Sequence, residues 1–416
     1  MGPIVAAVRC PVDPDKSTSI QSAGQATRPS GTDANHLFAN NVRFVSMAAI
    51  IAAHTIDTCS GASTTWLLQA LKFGTIGFFL VAGFLFGERI DDYSSLQYFS
   101  RRLRSVALPW TIWYGFYSSL SLTADFAHRR VTFHSADLVS RVYAEFSKGL
   151  LDTAYWFVPN LIIALAVLLV FRRRLRDYRM GLAFLLLSLF YAANIYGGWI
   201  PVKHTRAVFG FVFYLWLGAW GAWHFKAIEK WLSHIPMALM IALILVTNVL
   251  ALGEARLLVS RHSEDALNTL RITNQLASIV VVLGIVKLKR AVWPRFVDVR
   301  AHTYGLYLTH MVALVLFRFV IVRALPHFIS VDLVNSSRAI FVLLPLTFVA
   351  VYGGSLFIVK FMLSHKRLRW AVGVARSNRP ADASRSRESH RSVLSSVRVG
   401  PRAKRELASL AESLTR

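Results

Sequence analysis

Apolar stretches long enough to cross a bilayer recur along the chain, separated by short polar connections rich in Arg and Lys. Helices are predicted over 39–57, 66–87, 104–124, 155–171, 180–196, 207–225, 235–252, 270–288, 302–323 and 338–363. Some fall below the ~20 residues a span usually needs and require flanking aromatics or a thinner bilayer. The second carries Lys72 and Gly74 inside it, where a break is expected. The fold class that follows is all-α, a polytopic transmembrane helical bundle of about ten spans. Residues 1–37, rich in Ser, Thr, Gly, Pro and Asp, read as a disordered cytoplasmic tail, and 38–365 as the transmembrane domain. Residues 366–416, rich in Arg and Ser with a net charge of about +9, read as a basic disordered cytoplasmic tail.

Composition sharpens this picture. Of 416 residues, 55% are hydrophobic and only 17% charged, which a soluble domain of this length would not show. The formal charge of +25 would suggest nucleic acid in a soluble protein. Here the cations sit in loops and tails beside apolar spans, where they set orientation and meet anionic headgroups. Membrane lipids are therefore the expected partners and nucleic acid is not. With the N-terminus inside, the cytoplasmic loops hold Arg101, Arg102 and Arg104, then Arg172 to Arg179, Lys226 and Lys230, and Lys287 to Arg300. The opposite loops carry Asp137, Glu145, Asp152, Glu254, Glu264 and Asp265. Both termini are placed in the cytoplasm by this asymmetry. Cys10 and Cys59 form no disulfide framework, and no metal-ligand spacing is present.

The candidate chemistry begins with Arg43 and His54. Eleven helical steps return a side chain to within about 20° of its start, roughly 16 Å along the axis. Both groups then share one face, the Arg near a membrane surface and the His within the apolar layer, where ionisable groups usually line a site. A neutral imidazole, kept neutral by burial, can take a proton from an attacking hydroxyl. Asp57, three residues on, shares the face closely enough to hold the ring's tautomer. A core hydrogen bond for His54 and snorkelling for Arg43 explain the pair equally well at this point.

Other segments add to it. Gly83 and Gly87 are spaced to let a neighbouring helix backbone approach closely. Arg101 and Arg104 share a face if their stretch is helical and are suited to a phosphate, although anchoring on the inside explains them too. Trp156-Phe157-Val158-Pro159-Asn160 opens one predicted span, where Trp156 reads most simply as an interfacial anchor. Tyr304, Tyr307 and His310 fall within about 120° on another helix, as belt aromatics with a core histidine or as the wall of a site.

In this order the segments resemble the acyltransferase-3 family of membrane-bound acyltransferases, over roughly 38–320. Arg43 and His54 match its basic residue, ten others, then His. Gly77-Phe78-Phe79-Leu80-Val81-Ala82-Gly83 resembles its Gly-Phe-Phe segment, with Ala82 where Ser is common. Arg101-Arg102-Leu103-Arg104 matches its Arg-x-x-Arg, and Trp156-Phe157 and Thr303 to His310 resemble later signatures. The resemblance implies transfer of an acyl group, most often acetyl, from cytoplasmic acyl-CoA to a hydroxyl of a surface glycan or lipid-linked sugar. It implies His54, with Asp57, as the catalytic residues, as base or transient acyl carrier, and Arg43, Arg101 and Arg104 as holders of the donor phosphates. Trp156, Tyr304, Tyr307 and His310 are the expected contacts to the acceptor. No metal is implied, and a bacterial inner membrane is. A transporter or flippase for a glycan-linked or acylated substrate is the alternative, but inverted repeats and paired broken helices are not evident. A structural subunit whose polar residues join helices is a third.

Overall fold

The structure, a computed structural model, describes residues 31–56, 65–129, 135–324 and 337–374. Asp57, Cys10, Cys59 and most of both predicted tails lie outside the described residues. The described chain is helical, with no strand among the described residues. The helices are α1 (Gly31–Ile56), α2 (Thr65–Leu71), α3 (Phe73–Arg89), α4 (Ser95–Arg102), α5 (Leu108–Arg129), α6 (Ser135–Leu151) and α7 (Phe157–Val170). They continue as α8 (Tyr178–Gly197), α9 (Val212–Trp223), α10 (Phe225–His234), α11 (Met237–Ser260), α12 (Ile272–Val286), α13 (Val299–Ala324) and α14 (Ser337–Ser364).

Each of the ten predicted stretches contains a helix. The expected break falls at Lys72, between α2 and α3. Three helices, α4, α6 and α10, lie mostly in stretches read from sequence as connections. Among the described residues, five stretches are by length and composition fit to cross a membrane: 37–56, 65–92, 178–197, 237–260 and 344–364. A sixth arises if 138–151 and 154–170, bent by 71°, form one broken span. The expected count of about ten spans is therefore not confirmed, since five or six of the fourteen described α-helices meet the length and composition of a span. α9 and α12 are short, 12 and 15 residues, and rest on neighbouring helices rather than on length. The lipid-facing surface is recognisable by large exposed apolar side chains such as Leu186, Phe190, Leu245, Val249, Val349 and Phe357 on α8, α11 and α14.

The chain divides into two compact units. The first comprises residues up to Tyr93 with 170–299, hence α1–α3 and α8–α12. Its centre is the seam between α3 and α9. A Cβ at Gly83 would run into the Leu215 carbonyl, and one at Gly218 into the Leu80 carbonyl, so the two backbones meet because both positions lack a side chain. Phe79 and Phe211 stack at 4.7 Å beside this seam. α1 and α12 pack on α3, α11 on α12, and α8 on α9.

The second unit comprises 94–169 with residues from Arg300 on. Its entry helix α4 is closed by a capping box, in which Ser94 and Gln97 satisfy each other's backbone N–H. α5 packs on α6, with the Tyr114 hydroxyl donating to the Phe146 carbonyl at 2.6 Å. The Trp113 indole donates to the Ala371 carbonyl at 2.9 Å, tying the turn at 369–372 to α5.

Candidate active site

Arg43 and His54 both lie on α1, which runs unbroken from Gly31 to Ile56. The sequence spacing therefore becomes a real geometric one, with the two side chains on one helix face about 16 Å apart along the axis. Both are half-buried. The Arg43 guanidinium donates to the Asn40 side chain at 3.3 Å, one turn earlier. Asn41, fully buried, fixes this end of the helix: its amide donates to the Arg290 carbonyl at 3.0 Å and its oxygen accepts from the Val292 N–H at 3.1 Å. Asp57, the expected partner of His54, lies outside the described residues.

The remaining candidates belong to the second unit. Arg101 lies in the last turn of α4, and Arg104 falls in the π turn Leu103–Ala107 that follows. The turn has a local cause. Pro109 has no N–H, and its ring would press on the carbonyl four residues back in an ordinary α-helix. Widening the helix answers this, with the Leu108 N–H bonding five residues back to Leu103. Arg101 and Arg104 are exposed, whereas Arg102 is turned inward, donating to the Tyr98 hydroxyl at 2.9 and 3.2 Å. Of the three arginines, the two matching the Arg-x-x-Arg pattern are those presented outward.

Tyr304, Tyr307 and His310 line up along α13, the first half-buried and the other two buried, and Trp156 is linked to Tyr307 through the ring of Phe157, at 6.3 and 5.5 Å. Trp156 is only 7% exposed, so it is a core residue and not the interfacial anchor its position at a span start suggested. The 3-10 turn Ala154–Trp156 tucks it inward, with Thr153 accepting from the Tyr155 N–H. On α13 the rings follow one another: Tyr304 to Tyr307 at 6.1 Å, and Tyr307 to His310 at 5.9 Å. The broad face expected from spacing is thus present. Tyr307 donates its hydroxyl to the Ala154 carbonyl at 2.7 Å, Tyr155 to Leu308 at 2.9 Å, and Tyr304 to Val106. His310 is fully buried, and its Nδ1 lies 2.7 Å from the Tyr307 carbonyl. A carbonyl only accepts, so Nδ1 carries a proton and Nε2 holds the lone pair when the ring is neutral.

One polar group in the first unit was missed by sequence reasoning. Arg271, fully buried, donates to the carbonyls of Asn268 at 3.1 Å and Ala251 at 2.7 Å, and to the side chain of Gln69. Nearby, Glu254 accepts from Thr273 and from the Tyr196 hydroxyl, and His204 Nδ1 lies 2.6 Å from Asp265. Burial would push the Asp265 carboxyl upward. The charge and hydrogen bond of His204, helped by Lys72 and the His204 backbone N–H, outweigh this and hold it well below the usual carboxylate range. The available signal was a lone Arg at the head of a predicted span. Among the described residues, no group of three or more His, Cys, Asp or Glu is placed to hold a metal ion.

Long apolar helices with buried polar side chains on them define a multi-pass membrane protein. The chain belongs to the acyltransferase-3 family: the family model described as an acyltransferase domain matches residues 36–364. Comparison with curated proteins and with solved structures gave no match. The protein is a membrane acyltransferase, and the matched stretch takes in every candidate residue named above.

Proposed function

We propose that the protein moves an acyl group, acetyl in the simplest case, from cytoplasmic acyl-CoA to a hydroxyl of a surface glycan or lipid-linked sugar. His54 acts as general base. The acceptor oxygen attacks the thioester carbonyl while the imidazole takes its proton, and collapse of the tetrahedral adduct breaks the C–S bond. The imidazolium then returns the proton to the departing CoA thiolate. Asp57 is the candidate to orient the ring. Arg43, Arg101 and Arg104 hold the donor's phosphates, for which exposed guanidinium groups are suited. Trp156, Tyr304, Tyr307 and His310 are the proposed contacts to the acceptor.

The protein sits in a bacterial inner membrane with both termini in the cytoplasm, in keeping with the cations at 101–104, 172–179, 226–230 and 287–300. The observation that carries this reading is the unbroken α1, which gives Arg43 and His54 one face inside a family of acyltransferases.

The test supplies vesicles bearing the protein with labelled acetyl-CoA and a glycan-lipid fraction. His54→Ala is expected to insert normally and to lose transfer by at least a hundredfold. Near-normal transfer by that variant would overturn the assignment.

A further inference from the structure

Arg271 stands out as a guanidinium with 0% exposure in a membrane domain, where burying a charge is expensive. Its three bonds reach three separate places: its own loop at Asn268, α11 at Ala251, and α2 at Gln69. Gln69, 2% exposed, passes the connection on, its amide donating to the Asn274 side chain of α12 at 2.9 Å. Asn274 in turn donates to the Thr269 carbonyl at 2.7 Å, two residues before Arg271. The chain of bonds closes on itself. The carboxylates of Glu254 and Asp265 favour the guanidinium's charge and offset part of the cost of burying it.

What this ring grips is a helix with little hold of its own. α2 has seven residues, too few for a helix to persist in isolation. It is set off from α3 at Lys72, whose N–H bonds back to the Gln69 carbonyl at 3.2 Å. Its direction is therefore fixed by tertiary contacts, chief among them α1, α11 and the Gln69 bonds. α1 ends two residues after His54, and α2 packs against it.

We propose that Arg271 is a positioning residue for acyl transfer: by holding Gln69 it sets α2, and through α2 the end of α1 that carries His54. This rests on the assignment of His54 as the general base. A guanidinium suits the task because one planar group reaches acceptors in three directions, which an ammonium on a flexible stem cannot reproduce.

The test uses the full-length protein in proteoliposomes, with transfer kinetics and hydrogen exchange read together. Arg271→Lys is expected to lower kcat about tenfold or more with the donor KM within about twofold, since the reacting groups and not the binding groups are displaced. Exchange should quicken at 50–56 and 65–71 while α8 and α9 keep their protection. Gln69→Asn, one methylene too short to reach Arg271, should repeat this pattern, and Gln69→Glu, which keeps the acceptor for the guanidinium but loses the donor to Asn274, should retain more of the rate than Gln69→Asn. Unchanged kcat in Arg271→Lys and Gln69→Asn, or exchange quickened evenly through every helix, overturns the proposal. His54→Ala separates it from the parent reading. Full activity there removes the base assignment, whereas an inactive His54→Ala beside a fully active Arg271→Lys removes the positioning role alone.

Discussion

The hydroxyl of Tyr307 donates to the carbonyl of Ala154 at 2.7 Å, joining the middle of α13 to the turn that holds Trp156. The neighbouring Tyr155 returns the link from the other side, donating to Leu308 at 2.9 Å. Two reciprocal bonds thus lock the aromatic cluster of the second unit before any substrate is considered.

Tyr307→Phe removes one of these bonds without changing shape and leaves a buried carbonyl with one partner fewer. A loss of about 1–3 kcal/mol is expected. Thermal unfolding of the detergent-solubilised protein reads it, and Tyr155→Phe should give a similar loss. If both variants unfold with the wild type, the lock contributes nothing.

The α3–α9 seam makes a sharper demand. A methyl at Gly83 or Gly218 meets a backbone carbonyl, which cannot rotate aside as a side chain would. Gly83→Ala and Gly218→Ala should therefore lower the yield of folded protein severely. Gly253→Ala on α11 is the matched control, because nothing lies within 4 Å of its added methyl. There, relief of glycine's backbone entropy should stabilise by about 0.5–1 kcal/mol. Folded yield measured by size-exclusion chromatography distinguishes the three.

These elements also show how far the sequence can be read. Gly83 and Gly87 announced a close helix contact by their spacing, but nothing local named α9 as the partner. Tyr304, Tyr307 and His310 were legible as one face because helical periodicity alone places them together. Helix α6 was not legible as a helix, since Arg141, Glu145 and Lys148 interrupt its apolar positions, and α10 was hidden in the same way by Lys226 and Lys230. Trp156 misled because aromatics at span starts are usually anchors, and only the 3-10 turn before α7 turns it inward. The Arg271–Gln69 bond joins positions 202 residues apart, so no window along the chain contains it.

The Arg-x-x-Arg segment offers a test within about one turn of chain. Arg101 and Arg104 are exposed and proposed to meet the donor's phosphates, while Arg102 is occupied with Tyr98. Loss of a charge-assisted contact is worth about 1.5–3 kcal/mol, so Arg101→Ala and Arg104→Ala should each raise the donor KM roughly tenfold or more. Arg102→Ala should act mainly on stability, with the donor KM little changed. The same KM rise for all three would mean that the segment attracts the donor by general charge and not by a defined pair.

The His204–Asp265 pair sets a pH dependence whose sign is fixed. Asp265 in the folded protein loses its proton more readily than an unfolded carboxyl does, because His204 and Lys72 outweigh the effect of burial. Its contribution to stability is therefore complete above about pH 4, the range of an unfolded Asp, and is lost as pH falls from there through the lower folded value. Asp265→Asn should be destabilised at neutral pH, where the wild type has the full contribution. It should approach the wild type as the pH is taken down toward 3. Melting temperatures of the two proteins across pH 7 to 3 give the comparison, and curves that stay parallel throughout would show that ionisation of Asp265 adds nothing to stability over this range.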